Sequence, residues 1–352
     1  MVRSVVCPGC GAKMVFDAGT QKMKCEYCET ILDVTSLIKS EQEASAEAKS
    51  NILVDGDFQA QQKTGDFKVF HCASCGAELL TDDYTSATFC SFCGQPSMIE
   101  ERLSGQVLPS YVIPFQIGKE QAQEIFKNWA KKGIFTPRTL KKDTTIQKVT
   151  GIYVPFWLYD YDAKMDCQAD CIKVRHSSDS KYNYTYTDHY SVERYVTASY
   201  NRIPCDASIK MPDDTMDLLE PFNYNKLQKF NMAYLSGFYA EKFNYTAEDL
   251  TKRVEKRVTQ YIEKNTLDTI SGYTSVHIRN KNIYLNPQKA EYALLPVWLL
   301  SYRLGDKNYM FTLNGQTGKM VAKRPVSIKR VLYILCITYI IIGLVCLLIV
   351  MR

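Results

Sequence analysis

Eight cysteines fall in two blocks that share one spacing. The pair Cys7 and Cys10 is answered by Cys25 and Cys28, and the pair Cys72 and Cys75 by Cys90 and Cys93, across the same interval in both blocks. Zinc takes four tetrahedral ligands, and thiolates hold it at about 2.3 Å. Two cysteines three apart chelate one ion from a single tight turn, and a short hairpin returns the second pair. Gly11 and Gly76 follow the first pairs and Gly94 the last, where such turns need positive φ. Each block is too small to bury a core, so metal binding would supply most of its folding free energy. Disulfides or plain buried thiols are the alternative. The doubled spacing and an N-terminus without a signal-type apolar stretch favour zinc in a reducing cytosol. Four protein thiolates leave no position open to water, so the expectation is two structural zinc ions and no catalytic one.

The elements that must present these cysteines divide the chain as follows. Residues 1–34 are zinc ribbon one, 35–66 a polar connector, 67–99 zinc ribbon two, 106–325 an α/β domain and 331–351 a transmembrane helix. The fold class is therefore multidomain: two small β ribbons, a mixed α+β domain with internal duplication, and one C-terminal span. In the connector, residues 36–51 suit a solvated helix or a flexible linker, and residues 59–66 read as loop.

Within the α/β region, Gly118 opens a helix with Ala122, Ile125, Phe126 and Trp129 on one face, and Gly133 ends it. Residues 151–161 form a hydrophobic strand whose Pro155 suggests an edge or a bulge. Residues 181–200 carry six tyrosines; Tyr182, Tyr184 and Tyr186 alternate as on a half-exposed strand. Thr246 and Asp249 suit a capping box, followed by a helix that buries Leu250, Val254, Val258, Tyr261 and Ile262 and stops near Asn265. Residues 293–302 then echo the earlier strand: Pro155, Trp157, Leu158 and Tyr161 match Pro296, Trp298, Leu299 and Tyr302 at a spacing of 141. Each copy follows an amphipathic helix, which suggests a diverged duplication; chance similarity of two Pro-Trp strands is the alternative.

Residues 331–351 carry no charge. At about 1.5 Å per residue such a helix matches a hydrocarbon core of about 30 Å. Lys323, Arg324, Lys329 and Arg330 precede it and only Arg352 follows, which puts residues 1–330 in the cytosol, tethered to the cell membrane by a single span.

The net charge of +5 hides an asymmetry. Residues 1–105 hold 9 Lys and Arg against 15 Asp and Glu, while residues 106–352 hold 34 against 23. DNA binders neutralise phosphates with clustered cations, so an acidic pair of ribbons argues against nucleic acid and for protein partners. The segment Gly315 to Met320 lacks the phosphate-loop spacing and reads as a hairpin turn at Asn314-Gly315, which excludes a helicase or other P-loop NTPase. Cys167 and Cys171 read as small buried residues of one strand face, with a redox pair as the alternative. His71, His176, His189 and His277 are scattered. No nucleophile has a recognisable base, so no enzyme activity is expected.

The segments CPGCGAKMVFD, MKCEYCET, HCASCGAEL, ATFCSFCG, LPSYVIPFQIGKEQA, GIYVPFWLYDYDA, EPFNYNKLQKFNMAYLSGFYAEKF and FTLNGQTGKMVAKRP follow one another in this chain. Together they resemble the bacterial membrane-anchored double zinc-ribbon proteins labelled TFIIB-type zinc ribbon-containing. Members of that family are often encoded near phage-shock-protein-A-like and SPFH-like proteins. The resemblance implies a role in organising an envelope-stress assembly at the membrane, and it carries no catalytic residues. The expected function is a tail-anchored membrane adaptor whose cytosolic ribbons bind protein; the alternative is a membrane-tethered nucleic-acid-binding ribbon protein.

Overall fold

Two prolines stand at matching points of two very long strands, and they explain how the main sheet is shared out. The computed structural model describes residues 6–12, 14–34, 64–72, 76–81, 90–92, 98–141, 143–146, 148–304 and 307–351. The first elements are β1 (Met14–Asp17), β2 (Lys22–Cys25), β3 (Ile31–Leu32), β4 (Thr64–Cys72), β5 (Glu78–Thr81), β6 (Met98–Val107) and β7 (Tyr111–Val112). The middle holds α1 (Lys119–Lys132), α2 (Asp143–Ile146), β8 (Thr150–Ser178), β9 (Asn183–Asp206), α3 (Asp213–Leu219), β10 (Gln228–Lys229) and β11 (Tyr239–Glu241). The chain closes with α4 (Thr251–Asp268), β12 (Ser275–Leu304), β13 (Lys307–Asn314), β14 (Met320–Ala322) and α5 (Ile328–Val350). It divides into two compact units, one of Met1–Pro155, Ser208–Lys242 and Ala293–Arg352, the other of Phe156–Ala207 and Phe243–Tyr292.

In the first unit β1, β2 and β3 form a small antiparallel sheet. The larger sheet runs in the order β10-β7-β12-β8-β11-β5-β4-β6, with β13 on β12 and β14 on β13. Pro155 was expected to put its strand at an edge or to mark a bulge; β8 is no edge, since it lies between β12 and β11. The reason is a change of partner. β8 pairs with β11 through Ile152 and Tyr153, and with β9 from Phe156 onward. Likewise β12 pairs with β7 through Ala293 and Leu294, and with β13 from Val297 onward. Each proline, which has no N–H to give, falls where one partner strand hands over to the next.

The core of this unit is aromatic. Phe115 stacks on Phe238 at 4.3 Å, and Trp298 lies 5.0 Å from Phe115. Trp298 Nε1 donates to Ile117 O at 2.9 Å, and Gly315 O accepts from the amides of Gln116 and Ile117. Helix α1 starts after Gly118 and ends at Gly133, as its pattern predicts, and buries Ala122, Phe126 and Ala130. Ile125 and Trp129 are only half-buried; Trp129 meets Phe311 edge-on at 5.0 Å. The 314–319 turn is the expected hairpin, pairing Leu313 with Met320; Asn314 Oδ1 accepts from the Gln316 and Thr317 amides.

The second unit contains a comparable set of contacts. Trp157 Nε1 donates to Tyr245 O at 2.9 Å, Trp157 lies 5.8 Å from Phe243, and Ala207 O accepts from the amides of Asn244 and Tyr245. Helix α4 buries Val254, Val258 and Ile262, and Leu250 just before it is buried too. Leu250, Val254 and Val258 stand 128 positions after Ala122, Phe126 and Ala130, the same offset as between Ile117 and Tyr245. The reciprocal bonds of the expected capping box form, Thr246 donating from N and Oγ1 to Asp249 Oδ2 and Asp249 N donating back to Thr246 Oγ1, but they close the turn ahead of the helix, which starts at Thr251 after Leu250. The helix continues beyond the expected stop at Asn265 to Asp268, with Asn265 Nδ2 donating to Tyr200 OH and Thr266 folding its hydroxyl onto Ile262 O. Tyr261, expected inside, is half-buried against Tyr200.

The outer part of the β8–β9 hairpin departs from the expected half-exposed strand. Tyr184 and Tyr186 are exposed, as are the residues between them, because nothing among the described residues covers either face there. Alternation sets in only after Val192, the buried residue that packs with Ala169, Cys171 and Ile270. Cys167 and Cys171 are buried as expected, and burial pushes both thiols up, which makes them poor nucleophiles.

Two expectations about the N-terminal third need correction. The ribbons are not free modules on a connector. Ribbon one is held by Phe16 N donating to Ser236 O at 3.1 Å, Ser236 Oγ donating to Met14 O at 2.6 Å and Phe16 meeting Tyr234 edge-on at 5.3 Å. Gln21 Nε2 adds a bond to Phe115 O at 2.6 Å. The strands expected for ribbon two belong to the main sheet, with Leu79 and Leu80 pairing Glu241 and Ala240 of β11. The second correction concerns the connector: Thr64–Asp66, read as loop, begin β4, and residues 35–63 lie outside the described residues. A four-residue strand with one buried face cannot stand alone in water, so both ribbons complete themselves on the larger body.

Candidate metal centre

The first knuckle is built by backbone geometry. Gly11 N donates to Cys7 O at 2.9 Å and Cys7 N to Ala12 O at 2.8 Å, with Gly11 at φ 72°. The second repeats the form: Glu29 N donates to Cys25 O at 3.0 Å and Cys25 N to Thr30 O at 2.9 Å, with Glu29 at φ 57°. β1 and β2 bring the two knuckles together by pairing Met14 with Cys25 and Asp17 with Lys22, while Met14 and Met23 are fully buried beneath.

This brings Cys7, Cys10, Cys25 and Cys28 into one cluster whose four Sγ atoms all lie within 4.8 Å of one another. Cys7 Sγ is 3.4 Å from Cys28 Sγ, and Cys10 Sγ is 3.5 Å from Cys25 Sγ. A tetrahedron with metal–sulfur bonds of about 2.3 Å has sulfurs about 3.8 Å apart. The cluster fits a zinc ion and could hold one.

The electrostatics point the same way. Thr30 holds the Cys28 thiol down to about 6 through its hydroxyl, 3.0 Å from Sγ, and its amide; Cys10 and Cys7 help. For Cys7, burial opposes ionisation, but amides from Gly9 and Cys10 outweigh it and the thiol is lowered. Cys10 goes the other way: the Ala12 amide favours its thiolate, yet the neighbouring Cys28 and Cys25 sulfurs push it up to about 12. Four thiols packed this tightly cannot all ionise without a cation among them, whereas the surrounding amides are arranged for thiolates. Thr30 was not anticipated as part of the site; a hydroxyl two residues after the last cysteine is the signal that marks it.

For the second block the described residues cover Cys72 and Cys90, both buried, while Cys75 and Cys93 lie outside them. The Cys72 turn copies that of Cys7: Gly76 N donates to Cys72 O at 2.8 Å, Cys72 N to Ala77 O at 2.9 Å, and Gly76 has φ 67°. Among the described residues only the first four cysteines form a ligand cluster. His71, given no ligand role, faces Glu78 across β4 and β5 at 3.5 Å, and Lys242 Nζ lies 3.2 Å from the same carboxylate.

The position of Glu29 carries a prediction. A side chain at φ 57° costs about 1–2 kcal/mol, less the extra freedom glycine has when unfolded. Glu29 is exposed, so removing its side chain uncovers nothing. Glu29→Gly is expected to strengthen zinc retention roughly two- to fivefold in a chelator competition; weaker retention would show that the Glu29 side chain contributes to the loop.

No family model matches the chain, and no solved structure matches it. A Bacillus subtilis (strain 168) protein, "Uncharacterized protein YdjG", is 38% identical over 334 residues, covering 94% of this chain and 92% of the relative. Similarity of that degree over nearly both whole chains places this chain in the family of Bacillus subtilis YdjG.

Proposed function

We propose that this protein is a non-catalytic adaptor tethered to the cell membrane by α5, with residues 1–330 in the cytosol and two structural zinc ions in its N-terminal third. The observation that carries the reading is α5. Residues 331–349 of it carry no charge, and its apolar stretch is not buried against the body, as that of a core helix would be. In the first metal-binding ribbon Val6, Tyr27 and Ile31 are 48%, 81% and 50% exposed. Apolar side chains on a metal-braced turn suit a protein partner, and the acidic balance of residues 1–105 disfavours a phosphate backbone. The envelope-stress assemblies implied by the resemblance are the setting we assign.

The two units descend, in this reading, from one duplicated segment. The support is the pairing of Trp298 with Ile117 O beside that of Trp157 with Tyr245 O, the two doubly bonded carbonyls of Gly315 and Ala207, and the partner change at Pro296 and Pro155. Each helix-bearing segment is completed by the long strand of the other copy, so the halves are exchanged.

A photoreactive amino acid at Tyr27, in the full chain in its native membranes, tests the adaptor reading. The expected product is a protein adduct that disappears when the residue is moved to a buried position such as Met23. The counter-test is a salt titration of the chain against duplex DNA. Binding of micromolar strength at physiological salt, with a steep negative salt slope, would replace the adaptor by the nucleic-acid reading.

A further inference from the structure

The base of α5 does not hang from the first unit by a slack linker. Arg330, the third residue of the helix, donates from Nη1 to Ile134 O at 3.0 Å and also to Thr136 O. Ser327 N donates to Phe135 O at 3.0 Å. Arg324 sits over the Trp129 ring, 5.1 Å from its centroid. Two of the four cations preceding the span thus contact protein, while Lys323 and Lys329 are exposed.

These contacts hold the loop after α1 in one shape. A Cβ on Gly133 would meet Thr136 Oγ1 at 1.9 Å and Arg324 Cδ at 3.3 Å, so only glycine allows the turn to close. Thr136 is buried, whereas Ile134 and Phe135 between them are 69% and 42% exposed. Val326 and Ile328, at the start of the helix, are 55% and 74% exposed. Four large apolar side chains are thus held out to solvent beside the first turn of an apolar helix. The carbonyls of Ile134, Phe135 and Thr136 all accept hydrogen bonds, which lowers the cost of bringing this backbone into a layer poor in water.

We propose that the 133–136 loop is a membrane-docking wedge: Ile134 and Phe135 insert into the interface of the leaflet that α5 enters, with Lys132 and Lys329 on anionic headgroups. The proposal rests on the reading of α5 as a membrane span. Bulky apolar groups flanked by cations, on a loop whose carbonyls are already hydrogen-bonded, are what an anionic bilayer interface takes up. The tie through Arg330 makes insertion of the loop and of the helix a single event, and it fixes the first unit against the bilayer instead of leaving it to swing.

The test uses the full chain as Phe135→Trp, with Ile134→Trp as the second variant, in vesicles of phosphatidylcholine and phosphatidylglycerol. Emission from the new tryptophan is read as the difference from the unsubstituted chain. The expected result is a blue-shifted emission, strongly quenched by lipids brominated near the glycerol end of the acyl chain, less by lipids brominated near the methyl end, and little by aqueous acrylamide. Efficient acrylamide quenching without bromolipid quenching, in protein that stays with the vesicles through an alkaline wash, would overturn the wedge and leave the span intact. Protection from both quenchers would mean that another protein surface, such as a second copy, covers the loop, and would overturn it equally. Loss of the chain from the vesicles in the wash would remove the span and the wedge together.

Discussion

Replacing Cys25 by serine should cost the protein one zinc equivalent and the order of the sheet formed by β1, β2 and β3. Cys25 is fully buried, lies 3.5 Å from Cys10 Sγ and ends β2. Structural zinc sites contribute about 10–16 kcal/mol, so an equal share for each of four thiolates is about 2.5–4 kcal/mol, a loss of two to three decades in affinity. A serine hydroxyl at that buried point adds about 1–3 kcal/mol of unmet hydrogen bonding. The damage should also travel, because ribbon one is docked. Without the Phe16 and Met14 bonds to Ser236, the turn around Tyr234 loses its cover. Metal analysis together with hydrogen exchange of the full chain reads both effects. Faster exchange is expected in β1, β2 and residues 232–236, with α4 unchanged. A variant that keeps its full zinc content would remove Cys25 from the ligand set, and exchange that rises only within the ribbon would show the docking to be weak.

Deleting residues 331–352 should move the protein from the membrane to the soluble fraction. The segment 331–351 is mostly Leu, Ile and Val, 14 in all. At about 0.3–0.6 kcal/mol each on the insertion scale, they favour the bilayer by about 4–8 kcal/mol. Among the described residues none of these side chains is buried, so the body loses little packing when they go. The truncated chain keeps Arg330 and its bonds to Ile134 and Thr136, and it should fold with unchanged zinc content. Alkaline extraction of membranes distinguishes the two forms: the full chain stays and the truncated chain leaves. Protease added outside intact protoplasts should spare residues 1–330, and digestion of the ribbons under those conditions would invert the topology.

Chemistry that is local along the chain was readable from the order of its residues. Four thiolates around one ion need two tight turns and a hairpin, and both turn and hairpin signals lie within a few residues of Cys7 and Cys25. The length and uniform apolarity of residues 331–351 likewise need no tertiary information, since the comparison is with the thickness of a bilayer. The helix from Lys119 to Lys132 and the turn at Asn314 follow from period and from turn chemistry of the same short range.

Contacts between distant segments were not readable, because a period states which face is apolar and not what covers it. The Pro155 strand read as an edge or a bulge because a proline gives up one donor; only the fold shows that β11 gives way to β9 at that residue. The echo of Trp157 in Trp298 was visible, but not that their indoles bond to carbonyls 88 and 181 residues away. Ribbon one reads as a separate unit until Ser236 and Tyr234 are seen against it, and the cations before α5 read only as an orientation signal until Arg330 and Arg324 are found on the 129–136 segment. In each case the deciding term is burial or satisfaction of a polar group by a partner far off in sequence, and only the folded chain brings that partner to it.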